Sequence, residues 1–240
     1  LIGYTMAVRD QMTGVPEMVA LFNGFGGAAS ALVAASEVFR MINNETIPND
    51  WLTFHVAWVA IGLSALVGWM TLTGSLLAMM KLKGGFEIFG KWYRTPTWGP
   101  EWLNWIKGIL LIGVVALIYM SIEDPGNQDY VIGIIALSCI LGLLFVLPIG
   151  GADMPVVVSL LNSLSGVAAA FTGFIISNNV LIIAGSMVGA AGLVLTNIMC
   201  KAMNRRLIDV LFKSFGGTDK ETVTRTKVGS DPDEVAMICD

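Results

Sequence analysis

An all-α, polytopic bundle of about six membrane-spanning helices with an internal parallel repeat is the fold this sequence predicts. Three observations predict it. Hydrophobic residues make up 55% of the 240 positions, charged residues only 13%, and mean hydropathy is +0.73, well outside the usage of a soluble domain. Apolar runs at roughly 15–43, 51–81, 106–122, 130–149, 154–177 and 179–204 are each of the order needed by a bilayer, about 20 residues per helix. Finally, Pro16, Asn23 and Gly27 recur 139 residues later, at the same spacing, as Pro155, Asn162 and Gly166.

Taken in order, Leu1 to Val8 is apolar but too short to span, and it reads as the truncated end of a preceding membrane helix. The chain is therefore read as a fragment without a signal peptide. The first full run opens at Pro16, which suits a first helical turn because its missing N–H would lack a partner there. It ends beyond Glu37 and Arg40, where its last turns emerge into water. Strand-type alternation is absent from all six runs, and Gly, Ala and Ser are frequent within them, as close helix packing in lipid requires. Between the second and third runs, Lys91, Arg94, Trp92, Trp98, Trp102 and Trp105 form a mixture typical of the headgroup zone. A substrate-binding aromatic box is the less favoured reading of that loop. The fifth run repeats the opening of the first, and Val19, Leu21, Ala29 and Ala31 match Val158, Leu160, Ala168 and Ala170. About four turns of similarity mark an internal duplication. Residues 9–215 form the membrane domain, and residues 216–240 are a polar, Thr-rich linker or tail.

Charge placement orients the bundle. If the runs alternate, one side receives Arg9, Lys81, Lys83, Lys91, Arg94, Lys107, Lys201, Arg205, Arg206 and Lys213, and the other only Arg40. The basic side faces the cytoplasm, or the matrix of a mitochondrion. Both Pro/Asn helix starts then lie on that side, so the two copies run parallel, unlike the inverted repeats of many secondary transporters.

Chemistry is sparse. Cys139, Cys200 and Cys239 lack metal-ligand spacing, one histidine cannot assemble a Ser/His/Asp arrangement, and there is no Walker motif. A net charge of −4 gives no sign of nucleic-acid binding. What remains are polar residues inside apolar runs. Asn23 and Asn162 lie two turns, roughly 10 Å, inside their helices, where an amide either serves function in a wet cavity or bonds a neighbouring helix. His55, near the start of the second run, is the only histidine, the residue type whose ordinary pKa lies near neutrality. Gly185, Gly189 and Gly192 form one stripe at i, i+4, i+7, which tight packing explains. Asp153, Lys201 and Arg205 lie at the basic rim, as solvated helix ends or as a charged collar.

The motifs GGADMPVVVSLLNSLSG (150–166) and MCKAMNR (199–205), with MTGVPEMVALFNGFGG (12–27) and TLTGSLLA (71–78), strongly resemble the membrane domain of proton-translocating NAD(P) transhydrogenases, in the beta subunit or its fused equivalent. The resemblance covers roughly residues 1–216. It implies an enzyme complex of the Si/Re-specific type, in which hydride passes between NAD(H) and NADP(H) on separate soluble domains while the membrane domain carries protons. NAD and NADP would be bound by partner domains and not by this fragment, whose tail holds no strand–glycine–helix nucleotide site. The implied partners are an NAD(H)-binding subunit or domain, an NADP(H)-binding domain, membrane lipid and a second copy in a homodimer. The implied location is a bacterial plasma membrane or the mitochondrial inner membrane.

The resemblance further implies a proton pathway through His55, Asn162, Asn23, Ser163 and the stripe Gly185, Gly189 and Gly192, with Asp153, Lys201 and Arg205 sensing the NADP(H) domain. An ungapped match back from Thr73-Gly74-Ser75 places the family's channel histidine near Ala57, and two residues are about 200° of helix. Hydride transfer leaves no proton that must cross the membrane, so coupling must act through affinities that differ between protonation states. A secondary transporter would show similar repeats and buried amides, and a passive anchor would tolerate loss of both asparagines.

Overall fold

The computed structural model describes residues 14–44, 51–88, 91–93, 99–100, 102–124, 127–204 and 206–212. Six helices in it are long and apolar enough to cross a membrane: α1 (Val15–Asn44), α2 (Trp51–Leu82), α3 (Trp102–Glu123), α4 (Gln128–Val146), α5 (Met154–Ile175) and α6 (Asn179–Ala202). A short antiparallel hairpin, β1 (Phe86–Ile88) with β2 (Lys91–Tyr93), separates α2 from α3, and α7 (Leu207–Phe212) follows α6. The bundle is all-α, as expected, and the hairpin of two three-residue strands lies in a connection between spans. The predicted truncated helix at 1–8 and the tail at 216–240 lie outside the described residues, as do Arg94, Trp98 and Arg205.

Local chemistry sets the helix ends. Pro16 and Pro155 each occupy the second position of their helices, where the absent N–H costs nothing. Helix α2 stops at Gly84, whose φ of 75° is open to glycine. There Gly85 N–H donates to Met80 O and Gly84 N–H to Lys81 O, both at 3.1 Å, the paired bonds of a Schellman ending. Helix α4 ends at Val146 and not at residue 149, because Pro148 brings no N–H and restricts the residue before it. Asn127 and Asn178 cap α4 and α6 by accepting from Asp129 N–H and Leu181 N–H.

The helices pack as three sequential pairs, α1 with α2, α3 with α4, and α5 with α6, and α2 also lies against α4 and α5. Within the most apolar windows of α2 and α5, 61% of residues are buried, against 22% for α3 and α6, which puts α2 and α5 at the centre and α3 and α6 at the periphery. Side-chain contacts fix the senses. Lys83 pairs with Glu17 at 3.7 Å, and Lys81 bonds the carbonyls that end α4. Met154 and Cys200 share one core cluster with Val146 and Ile149. The start of α1, the ends of α2 and α4, the start of α5 and the end of α6 therefore lie on one side, the basic side, and α1 and α5 run parallel.

Glycine makes the pairings close. A Cβ on Gly27 would stand 2.9 Å from Gly68 O and from Thr71 Cβ, and one on Gly68 would stand 2.6 Å from Gly27 O. On the other seam, a Cβ on Gly166 would lie 2.6 Å from Gly189 N, one on Gly185 2.5 Å from Ala170 N, and one on Gly192 2.8 Å from Ser163 Cα. Apart from Thr71 Cβ these contacts are with backbone, and neither backbone nor a Cβ can swing aside. Gly26, beside Gly27, has nothing within 4 Å. We therefore expect Gly27→Val to lower stability by about 1–3 kcal/mol, the usual penalty of overpacking, while Gly26→Val stays within about 0.5 kcal/mol of the parent. Denaturation in detergent checks both, and equal loss from the two changes would mean that close approach at Gly27 does not hold the α1–α2 seam.

Candidate functional site

Asn23 is 7% exposed although the stretch of helix around it, residues 18–36, is otherwise built of apolar and small residues. Its carboxamide is satisfied by two other helices. The Nδ2 group donates to Ser75 Oγ of α2 at 3.2 Å, and Oδ1 accepts from Ser165 Oγ of α5 at 2.7 Å. Ser165 Oγ also lies 2.8 Å from Asn162 O, so this hydroxyl joins both asparagine-bearing helices. Asn162 is half-buried, and among the described residues its carboxamide makes no hydrogen bond. The two motif copies thus differ in surroundings. One amide is locked into a three-helix junction, whereas the other stands beside it, one turn toward the basic side of Ser165.

A second polar junction lies farther along the same three helices. Ser64 Oγ is 2.8 Å from Thr172 Oγ1, and both hydroxyls lie 3.3 Å from Ser30 O. They also reach Ala168 O, at 3.3 and 3.0 Å respectively. Thr71, fully buried between the two levels, returns its hydroxyl to Val67 O at 2.6 Å. Ser64, Thr71 and Ser75 follow a spacing of seven and four, so they share one face of α2. That spacing was the available signal for them. Both junctions link α1 to α5 at the same sequence offset, Asn23 with Ser165 and Ser30 with Thr172, as parallel helices require. Seven residues along α1 separate the levels by about 10 Å.

The remaining predicted residues divide into separate places. Ser163 turns away from Asn23 and donates to Gly189 O of α6 at 2.5 Å. Gly185, Gly189 and Gly192 are buried against α5 in that same seam. Further along it, Thr196 donates to Ser159 Oγ at 3.0 Å, a pair the sequence reading did not single out. His55 is half-buried near the far end of α2. Its ring meets Phe54 edge-on at 5.3 Å, and it borders an apolar groove of about 290 Å³ with Val56, Val59, Ala60, Phe171 and Phe174. Twenty residues of helix, about 30 Å, separate it from Ser75. The structure does not bring His55 together with Asn23 or Asn162, and Ala57, seven residues before Ser64, lies on the polar face instead. Asp153 is half-buried in the 3-10 turn Gly151–Asp153 that leads into α5, and Lys201 is exposed on the last turn of α6.

A groove of about 270 Å³ opens beside the first junction, lined by Gly26, Ser165, Gly166, Ala169, Gly185 and neighbouring side chains of α6. It gives the Ser165 level an edge at the bundle surface. Arranged in this way, the interface of α1, α2 and α5 offers an amide and hydroxyls that can each donate and accept, at two levels, with the His55 imidazole toward the far side.

A family model described as NAD(P) transhydrogenase beta subunit matches residues 1–238. The chain is 41% identical over 217 residues to the NAD(P) transhydrogenase subunit beta of Rhodospirillum rubrum, a match covering 90% of this chain and 44% of that protein. The subunit from a named strain of the same species matches to the same extent. The chain spans less than half the length of these curated relatives. By the extent of the family match and the level of identity, the chain belongs to the NAD(P) transhydrogenase beta subunit family.

Proposed function

We propose that this chain is the proton-conducting membrane part of a proton-translocating NAD(P) transhydrogenase of the Si/Re-specific type. Its NAD(H) and NADP(H) sites reside on partner domains, and the assembly is a homodimer embedded in the lipid of a bacterial plasma or mitochondrial inner membrane. The observation that carries this reading is the junction of Asn23, Ser75 and Ser165 deep in an apolar bundle of this family. Polar groups at that depth are costly unless they are used or fully bonded, and Asn162 beside them keeps a carboxamide with no described partner.

In the mechanism that follows from this reading, the three-helix interface provides successive donors and acceptors for ordered water, while His55 toward the far side is the group that takes up and gives back the proton. Neither asparagine titrates, so each orients and does not carry. The glycine seam lets α5 and α6 approach closely enough to move as a pair. Asp153 and Lys201 face the side on which the resemblance puts the NADP(H) domain, Arg205 is assigned to the same collar by its place in the sequence alone, and coupling needs an element that both sites can bias. A potential of 100 mV supplies about 2.3 kcal/mol for each charge that crosses. A path open to both sides would dissipate it, so the polar levels must be reached alternately from the two faces.

Asn162 gives the first test. Asn162→Leu should abolish proton pumping in the reassembled enzyme while the helices still insert, measured as pH change in vesicles. Unimpaired pumping by a well-expressed variant would leave the amide as helix packing only. At the rim, Asp153→Asn should alter NADP(H) release and pumping together and leave NAD(H) binding unchanged. Stopped-flow nucleotide release is the readout, and an unaltered rate would reduce this rim to a solvated helix end.

His55 gives the third test. A pathway that passes its proton through an imidazole should show a rate that depends on pH. His55→Ala should lose proton-coupled turnover and that dependence, while retaining exchange confined to the soluble domains. Pumping at the parental rate with an unchanged pH profile would move the protonated group elsewhere, toward Glu17, Glu37 or water beside the asparagines.

A further inference from the structure

Lys81 is 5% exposed, yet among the described residues it has no carboxylate partner. Its three ammonium hydrogens meet three backbone carbonyls instead: Val146 O at 3.0 Å, Leu147 O at 2.5 Å and Ile149 O at 2.8 Å. Those oxygens belong to the last residue of α4 and the turn after it. The final carbonyls of a helix have no partner in the helix, and together they carry a partial negative charge. Pro148 worsens the shortage, because it offers no N–H at the centre of the turn. Lys83, two residues on, provides the contrast, since it is exposed and pairs with Glu17 across the surface.

The carbonyl tripod sits where α4 turns into α5. Immediately after it come Gly150, the 3-10 turn Gly151–Asp153 and then Met154, which is fully buried with Ala78, Val146, Ile149 and Cys200. One end of the junction is therefore held by an ammonium from α2 and the other by a hydrophobic plug. We propose that Lys81 is a positioning residue for coupling: by saturating the three carbonyls it pins the α4–α5 junction to α2, and thereby fixes Asp153 and Asn162 relative to Ser75. This rests on the functional reading above, but the pin itself can be measured without it.

Cys200, 2% exposed in the same cluster, is a native reporter of the junction. In the assembled, membrane-embedded enzyme, the fraction of Cys200 alkylated by N-ethylmaleimide is followed by peptide mass spectrometry, alongside proton-coupled turnover and the hydride exchange confined to the soluble domains. Lys81→Met should speed Cys200 alkylation by about tenfold or more, as expected when a local opening becomes easier. Coupled turnover should fall by a similar factor with the soluble exchange unchanged. Lys81→Arg, which keeps the cation, should recover most of the protection and of the coupled rate. Should Lys81→Met fail to insert, Lys81→Gln, with two donors in place of three, carries the same comparison. Parental Cys200 protection in the Met or Gln variant overturns the proposal, whether or not coupling is lost. If the parent enzyme itself pumps no protons, the functional reading fails, and the Cys200 rates alone decide the pin.

Discussion

A polar group inside hydrocarbon has no water to return to, so it must find its partners on neighbouring helices. In this bundle that requirement is met at single contacts between α5 and α6 and between α2 and α4, and at two three-way junctions of α1, α2 and α5. Asn23 reaches Ser75 and Ser165, and Ser64 and Thr172 converge on the carbonyl of Ser30. Each junction binds three helices at once, so no one of them can shift without disturbing the other two. Among the described residues, the peripheral helices α3 and α6 make no such three-helix junction; α6 is held through its seam with α5.

Those junctions form only because the backbones come close enough for short side chains to meet. Serine and threonine hydroxyls extend little beyond Cβ. Gly27 and Gly68 bring α1 onto α2, and Gly166 with Gly185 and Gly189 brings α5 onto α6. Gly142 does the same for α4 at Met70 and Thr73 of α2, where Thr73 Oγ1 also reaches Cys139 O at 3.0 Å. Van der Waals contact between backbones thus sets the geometry that the hydrogen bonds complete, an order of dependence suited to lipid, where apolar side chains gain little by leaving one apolar phase for another.

Much of this was legible in the sequence. Span number, the helix starts at Pro16 and Pro155 and the basic side follow from hydropathy, proline chemistry and the distribution of lysine and arginine, none of which depends on tertiary contact. The end of α4 was overrun because an apolar run continues to residue 149 while the helix stops before Pro148. Asn23 and Asn162 stood out, since a carboxamide is unusual at their depth. Ser64, Thr172 and Ser165 did not, because a hydroxyl in a membrane helix can bond back to its own turn, and only the neighbouring helix decides otherwise. Ser163 follows Asn162 in the chain, but one residue is about 100° of helix, which carries it to the α6 seam. Lys81 read as one of several charges of the basic side, and its burial depends on where α4 ends.

Ser165 has one hydroxyl hydrogen and two acceptors within reach, Asn23 Oδ1 and Asn162 O. A single hydrogen cannot satisfy both in full, so at any instant the bond to one is made at the other's expense. Rotation about one side-chain torsion exchanges them on a timescale far shorter than any helix movement. When the hydrogen turns toward its own helix, Asn23 is left with an acceptor to be filled by something else. The junction therefore has a built-in vacancy of one hydrogen bond, whose location is set by a rotor and not by the backbone, and a rigid scaffold of six helices retains a degree of freedom as small as a single O–H.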